Sequence, residues 1–163
     1  MIRLGIDFGT SRIGLALQVE NIEIPLFAID HTGYKKNLLR IIEEKGIEET
    51  VIGLPISMSG RFRESTLKAV SFAEKVKSIF PGRVFLVDET LTTETARRLS
   101  SEAGQDFSKA RDVFSAIQIL RNYSSGMSKK WEVKEERGVC RDLPRLASDS
   151  RVLFYRPLSA MIE

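Results

Sequence analysis

Four acidic residues stand where a carboxylate is costly. Asp7 sits inside the apolar run IRLGIDF and is followed by Phe-Gly-Thr, and Asp88 and Glu89 close a second apolar run, RVFLV. Asp112 lies four residues before Ala116, at the edge of an apolar helical stripe, and so faces the sheet side more than solvent. An ionised acid in such surroundings costs several kcal/mol unless something compensates it. Each has an ordinary explanation as well. Asp7 could accept hydrogen bonds from the Gly9-Thr10 turn. Asp88 could cap a helix, and Asp112 could simply answer a helix dipole, which for that residue alone is the better account. If the second strand stays regular, its side chains alternate, so only one of Asp88 and Glu89 can look toward Asp7.

Taken together the acids say more. Carboxylates at the ends of two strands and on a helix over them would repel by roughly 4 kcal/mol per pair at about 4 Å and an effective dielectric near 20, so cations must lie between them. Oxygen-only ligands select Mg²⁺ or Mn²⁺. One or two such ions on a rigid sheet suit phosphodiester hydrolysis, one activating a water and the other stabilising the leaving oxygen.

The elements that must position these acids follow from the patterning. IRLGIDF, RIGLALQV and IEIPLFAI, broken at Gly9-Thr10-Ser11 and Glu20-Asn21, predict a three-stranded antiparallel meander. A helix over 34–45 ends at Gly46. ETVIGLPI predicts a strand buried on both faces. Residues 62–80 place Leu67, Val70, Ala73, Val76, Ile79 and Phe80 on one stripe, an amphipathic helix stopped by Pro81-Gly82. RVFLV predicts another buried strand. A helix over 93–103 ends at Gly104, and one beginning near Ser108 carries Val113, Ala116, Ile117, Leu120 and Tyr123. The order βββαβαβαα implies an α/β fold with a mixed sheet, the meander followed by parallel strands, and helices on its faces. After Tyr123 the pattern degrades. WEV and VLFY read as short strands, and the division is a core domain over 1–123 with a C-terminal extension over 124–163. Met58-Ser59-Gly60 reads as a loop near the strand ends that could serve as a lid.

Length and composition bound these readings. A chain of 163 residues is the size of one domain, and 42% apolar with 29% charged residues suffices for one core. No stretch approaches the roughly 20 apolar residues of a membrane span, and MIRLGIDFG lacks a signal-peptide layout, so a cytoplasmic location is expected. A single Cys140 and a single His31 exclude an internal disulfide and a Cys/His zinc cluster, leaving carboxylates to hold any metal. The excess of 25 Lys+Arg over 22 Asp+Glu, a net charge of +3, permits a nucleic-acid partner without requiring one.

The segments GIDFGTSRIGLAL, VIGLPISMSG, VFLVDETLTTETARRL and KARDVFSAIQILRNY resemble, in order and spacing, the motifs of the YqgF/RuvX family, whose fold is ribonuclease H-like. The resemblance covers residues 1–123. It implies a nuclease, members being described as Holliday junction resolvases and as enzymes processing the 5′ end of precursor 16S ribosomal RNA. By motif match the family's three acidic positions fall on Asp7, Glu89 and Asp112, which would be both catalytic groups and metal ligands; Asp88 takes the place of Glu89 if the strand carries a bulge. Arg12, Lys109 and Arg111, beside those acids, are the candidates for holding substrate phosphates. The chain departs from the family pattern at Thr90, where an arginine is common, and at Gln18-Val19, where an acid is. Trp131 and Tyr155 could stack on bases, though aromatics among short strands more often serve packing.

The acids act on phosphates common to structured RNA and branched DNA, so either is an admissible substrate. Symmetric cutting of a junction would call for two active sites and hence a homodimer. Two other functions stay open: a nucleic-acid or ribosome-binding module with weak catalysis, and a nucleotide-binding phosphotransferase of the actin-like kind. The second is disfavoured by a length that holds one such domain rather than two.

Overall fold

The structure, a computed structural model, describes residues 1–57, 62–89, 108–134 and 155–157, the side chains of 108–109 and 155–157 excepted. The helix expected over 93–103, the Met58-Ser59-Gly60 loop, Thr90, Cys140 and the side chains of Lys109 and Tyr155 lie outside the described residues.

The first strands are β1 (Ile2–Phe8), β2 (Arg12–Val19) and β3 (Ile22–Asp30). Glu20 and Asn21, at φ 48° and 70°, make the tight turn joining β2 to β3, as a two-residue hairpin loop requires. Then come α1 (Tyr34–Lys45), β4 (Glu49–Leu54), α2 (Glu64–Ile79), β5 (Arg83–Asp88), α3 (Ser108–Ser125), β6 (Lys130–Val133) and β7 (Tyr155–Pro157). Gly46, at φ 62°, ends α1: its N–H and that of Ile47 return to the carbonyls of Glu43 and Ile42.

All strands join one sheet in the order β3-β2-β1-β4-β5-β6-β7. β1, β2 and β3 pair antiparallel, β1, β4 and β5 pair parallel, and β6 and β7 extend the far edge antiparallel. This is the mixed sheet, an antiparallel meander followed by parallel strands, that the element order implies. Strand alternation divides the apolar side chains between two layers. Leu4, Ile6, Ile13, Leu15, Ile52, Leu54, Val84 and Leu86 meet Leu38 and Ile41 of α1 and Ala69, Val70, Phe72, Ala73 and Val76 of α2. Ala16, Val51 and Val87 meet Ala116, Ile119 and Leu120 of α3 on the opposite face.

Two local expectations change. The buried face of α2 runs through Thr66 and Phe72, while Leu67 is 40% exposed, because the stripe is centred one position away from the predicted one. Trp131 is buried in the core and serves packing. β6 thus adds Trp131 and Val133 to the larger apolar layer.

Far from the acids, the α3 face carries a buried polar network. Glu49, only 5% exposed, accepts from Arg3 Nε at 2.7 Å and from the Tyr123 hydroxyl at 3.4 Å, with Arg83 at 3.9 Å. Gln18 joins it, bonded to Arg3, Glu23 and Ser124. Arg83 donates twice to Glu132, both at 3.0 Å, and these hydrogen bonds hold that carboxyl below its ordinary range. Glu49→Ala would leave Arg3 with its charge uncompensated in a half-buried place. It is expected to cost about 2–3 kcal/mol, read as a melting temperature lower by about 4–10 °C.

Candidate active site

The β1–β2 hairpin builds the first wall. β1 runs out at Asp7-Phe8, and the Gly9 N–H donates to the Asp7 carbonyl at 3.1 Å. His31 Nε2 donates to the Gly9 carbonyl at 2.8 Å, with Phe8 edge-on to its ring, so the end of β3 ties the hairpin down. Asp7 pairs with Gly14 across the antiparallel ladder. By alternation Asp7, Arg12 and Gly14 face α3, whereas Ile6 and Ile13 face the larger core.

Two glycines let the other acids approach. A Cβ at Gly14 would run into the backbone carbonyl of Asp112, so α3 lies directly on β2 at that point. Gly5 lets the same helix settle on β1, where a Cβ would stand 2.6 Å from Leu120 and 2.8 Å from the Ala116 carbonyl. In β4, Ile52 pairs with Ile6, and the next step brings Gly53 level with Asp7. A Cβ there would collide with the Glu89 carboxylate, which lies over the bare backbone of Gly53. The Glu89 N–H donates to the Leu54 carbonyl at 3.2 Å and so carries the line of β5 one residue past its end. Because Val84 and Leu86 face the larger core, Asp88 shares their side and Glu89 turns toward Asp7.

The electrostatics agree with this convergence. Burial first, then the Asp112 carboxylate, pushes the Asp7 carboxyl up to about 7, against a pull downward from Arg111. Burial, then Asp7 and then Asp88, pushes Glu89 up to about 8. Asp7 therefore feels both other acids. Asp112 does not join them freely: Arg12 Nε donates to its Oδ2 at 3.1 Å, with the two side chains 23% and 13% exposed. Among the described residues no three His, Cys, Asp or Glu side chains form a ready metal cluster. Of the basic residues expected at the site, Arg12 is in it and Arg111 is exposed beside it.

Sequence reasoning missed Gly14 and Gly53 as parts of the site. Glycine within an apolar strand is a sign of close approach, and RIGLAL and VIGLPI both carry it. It also assigned Arg12 to phosphate without foreseeing its bond to Asp112.

The raised carboxyls set the pH response of the metal-free protein. In the unfolded chain both acids ionise near their ordinary values of 3.8 and 4.5, while in the fold they hold their protons to about 7 and 8. Their contribution to stability is therefore full below about pH 4 and lost as the pH rises through 7 and 8. Melting temperatures in chelator should fall between about pH 4 and 8. Asp7→Asn should flatten that fall, and a slope unchanged by the substitution would show that Asp7 does not carry it.

Residues 1–125 match the family described as RuvX, Holliday junction resolvase. A Rickettsia felis protein named "Putative pre-16S rRNA nuclease" is 35% identical over 134 residues, 77% of this chain and 87% of its own length. Relatives of the same name from Protochlamydia amoebophila and Shewanella oneidensis are 38% and 34% identical, over 74% of this chain and 90% and 91% of theirs. The Thermus thermophilus RuvC solved with a Holliday junction substrate is 15% identical, with a TM-score of 0.46, over 77% of this chain and 95% of that one. With a family match that spans 125 of its 163 residues, this chain belongs to the RuvX family of Holliday junction resolvases.

Proposed function

We propose that the protein is a divalent-metal-dependent nuclease that hydrolyses phosphodiester bonds in structured nucleic acid, with processing of the 5′ end of pre-16S ribosomal RNA as its first role and junction DNA as the second substrate to test. The observation that carries this reading is the placement of Asp7 level with two glycines, one beneath Asp112 and one beneath Glu89. Nothing in the hydrophobic core needs three acids there, and their mutual cost calls for a cation.

The donor set fits a hard divalent ion. It is all carboxylate oxygen, and the cradle that a Cβ would fill at Gly53 gives it room. Asp7, Glu89 and Asp112 would hold Mg²⁺ or Mn²⁺. Such ions, when bound, supply a water acidic enough to attack and charge to meet the leaving oxygen. Asp7, on β1 between β2 and β4, would stand between the other two acids. Arg111 and Lys109, at the start of α3, would meet the phosphates flanking the scissile one. A cytoplasmic location fits this work, and no described helix is long and apolar enough to cross a membrane.

The bond from Arg12 to Asp112 favours a second reading, a nucleic-acid or ribosome-binding module whose third acid stays neutralised. Incubating the protein with structured precursor RNA and with four-way DNA junctions, with Mn²⁺ or with chelator, separates the two. Metal-dependent cleavage of either supports the nuclease, and binding of both without cleavage in any metal supports the module.

A further inference from the structure

Arg12 opens β2 on the face that carries Asp7 and Gly14, and its Nε–H reaches Asp112 Oδ2 at 3.1 Å, across 100 residues of sequence. Side-chain exposures of 23% and 13% keep most water from the pair, so the contact is poorly screened. A divalent cation ligated by Asp112 would sit about 2.1 Å from a carboxylate oxygen. A guanidinium, charged at every working pH, would then stand within a few Å of it and repel it. Arg12 and the metal therefore compete for one carboxylate.

The Arg12 backbone pairs with Asp30 at the mouth of the hairpin, so the side chain stays at the site whichever partner it has. A planar guanidinium also suits a group expected there, the phosphate of the substrate.

We propose that Arg12 is an exchangeable counter-ion: it holds Asp112 while no metal is bound, yields it to a divalent cation, and then turns to the phosphate next to the scissile bond. This rests on the nuclease reading above. Metal and nucleic acid then strengthen each other's binding through Arg12, and by linkage the gain is reciprocal. Metal is held loosely until substrate arrives to receive the arginine. No covalent bond is made or broken in the exchange: the Arg12–Asp112 hydrogen bond gives way to a metal–carboxylate contact, and Asp112 keeps a cationic partner throughout.

Mn²⁺ affinity without nucleic acid, measured by the electron paramagnetic resonance of the free ion, tests the exchange directly. Arg12→Gln, which removes the competitor, is expected to bind Mn²⁺ about fivefold to tenfold tighter than the parent. A second measurement needs no destabilised variant. The Nε–H resonance of Arg12, assigned by its loss in Arg12→Lys, should shift as Mg²⁺ is titrated into the parent protein and shift again when a four-way junction is added. Mn²⁺ bound equally or more weakly by Arg12→Gln, or an Arg12 resonance unmoved by saturating Mg²⁺, overturns the exchange and leaves the nuclease reading standing. If neither protein binds Mn²⁺, both fall together. Should Arg12→Gln fail to fold, the resonance of the parent decides alone.

Discussion

Asp7→Asn is expected to lower metal-dependent cleavage by roughly three orders of magnitude, the rate equivalent of about 4 kcal/mol, while the protein stays folded. Asp7 lies level with both glycines and feels both other acids, so no second group can take over its charge. The amide is nearly the same size, and the site loses a charge whose burial pushed its carboxyl up to about 7. At pH 8 in chelator the variant should therefore be more stable than the parent, by about 1–2 kcal/mol. Opposite signs on activity and stability are the mark of a residue kept for chemistry. A variant that is less stable and equally active would make Asp7 a structural acid.

Gly14→Ala and Gly53→Ala should both silence the site, by different routes. At Gly14 the added methyl meets the backbone of Asp112, and a helix backbone cannot step aside alone. α3 must lift from β2, at about 2–3 kcal/mol, and Asp112 moves with it. At Gly53 the methyl meets the end of the Glu89 side chain and one methyl of Ile119, both able to rotate. Stability should change by less than about 1 kcal/mol, since alanine also restricts the unfolded chain. Cleavage should still fall about a hundredfold, because a ligand displaced by about 1 Å is enough for that. Paired melting curves and initial rates check both. Full activity in Gly53→Ala would mean that Glu89 is not needed where it lies.

Much of this was legible in the sequence, for identifiable reasons. The meander and the two later strands show as apolar runs cut by turn residues, and all five join one sheet. The choice between Asp88 and Glu89 follows from alternation once Val84 and Leu86 are known to face one core. Asp112 was placed on the sheet side by its spacing from Ala116, and its helix does lie on β2 there. What escaped depends on register between distant strands. No local pattern reveals that Gly14 stands opposite Asp7, or that Arg12 and Asp112 meet across 100 residues. Nothing local marks Glu49 or Glu132 as buried, yet both are 5% exposed and held by arginines from neighbouring strands. The short strand expected at WEV is present as β6, Lys130–Val133.

Crystals soaked in Mn²⁺ and measured at the manganese absorption edge give the most direct test of the three-acid site. An anomalous peak within coordination distance of Asp7, Glu89 and Asp112, with Arg12 turned away from Asp112, is expected. Empty anomalous density there at saturating Mn²⁺, with Arg12 still bonded to Asp112, would contradict it.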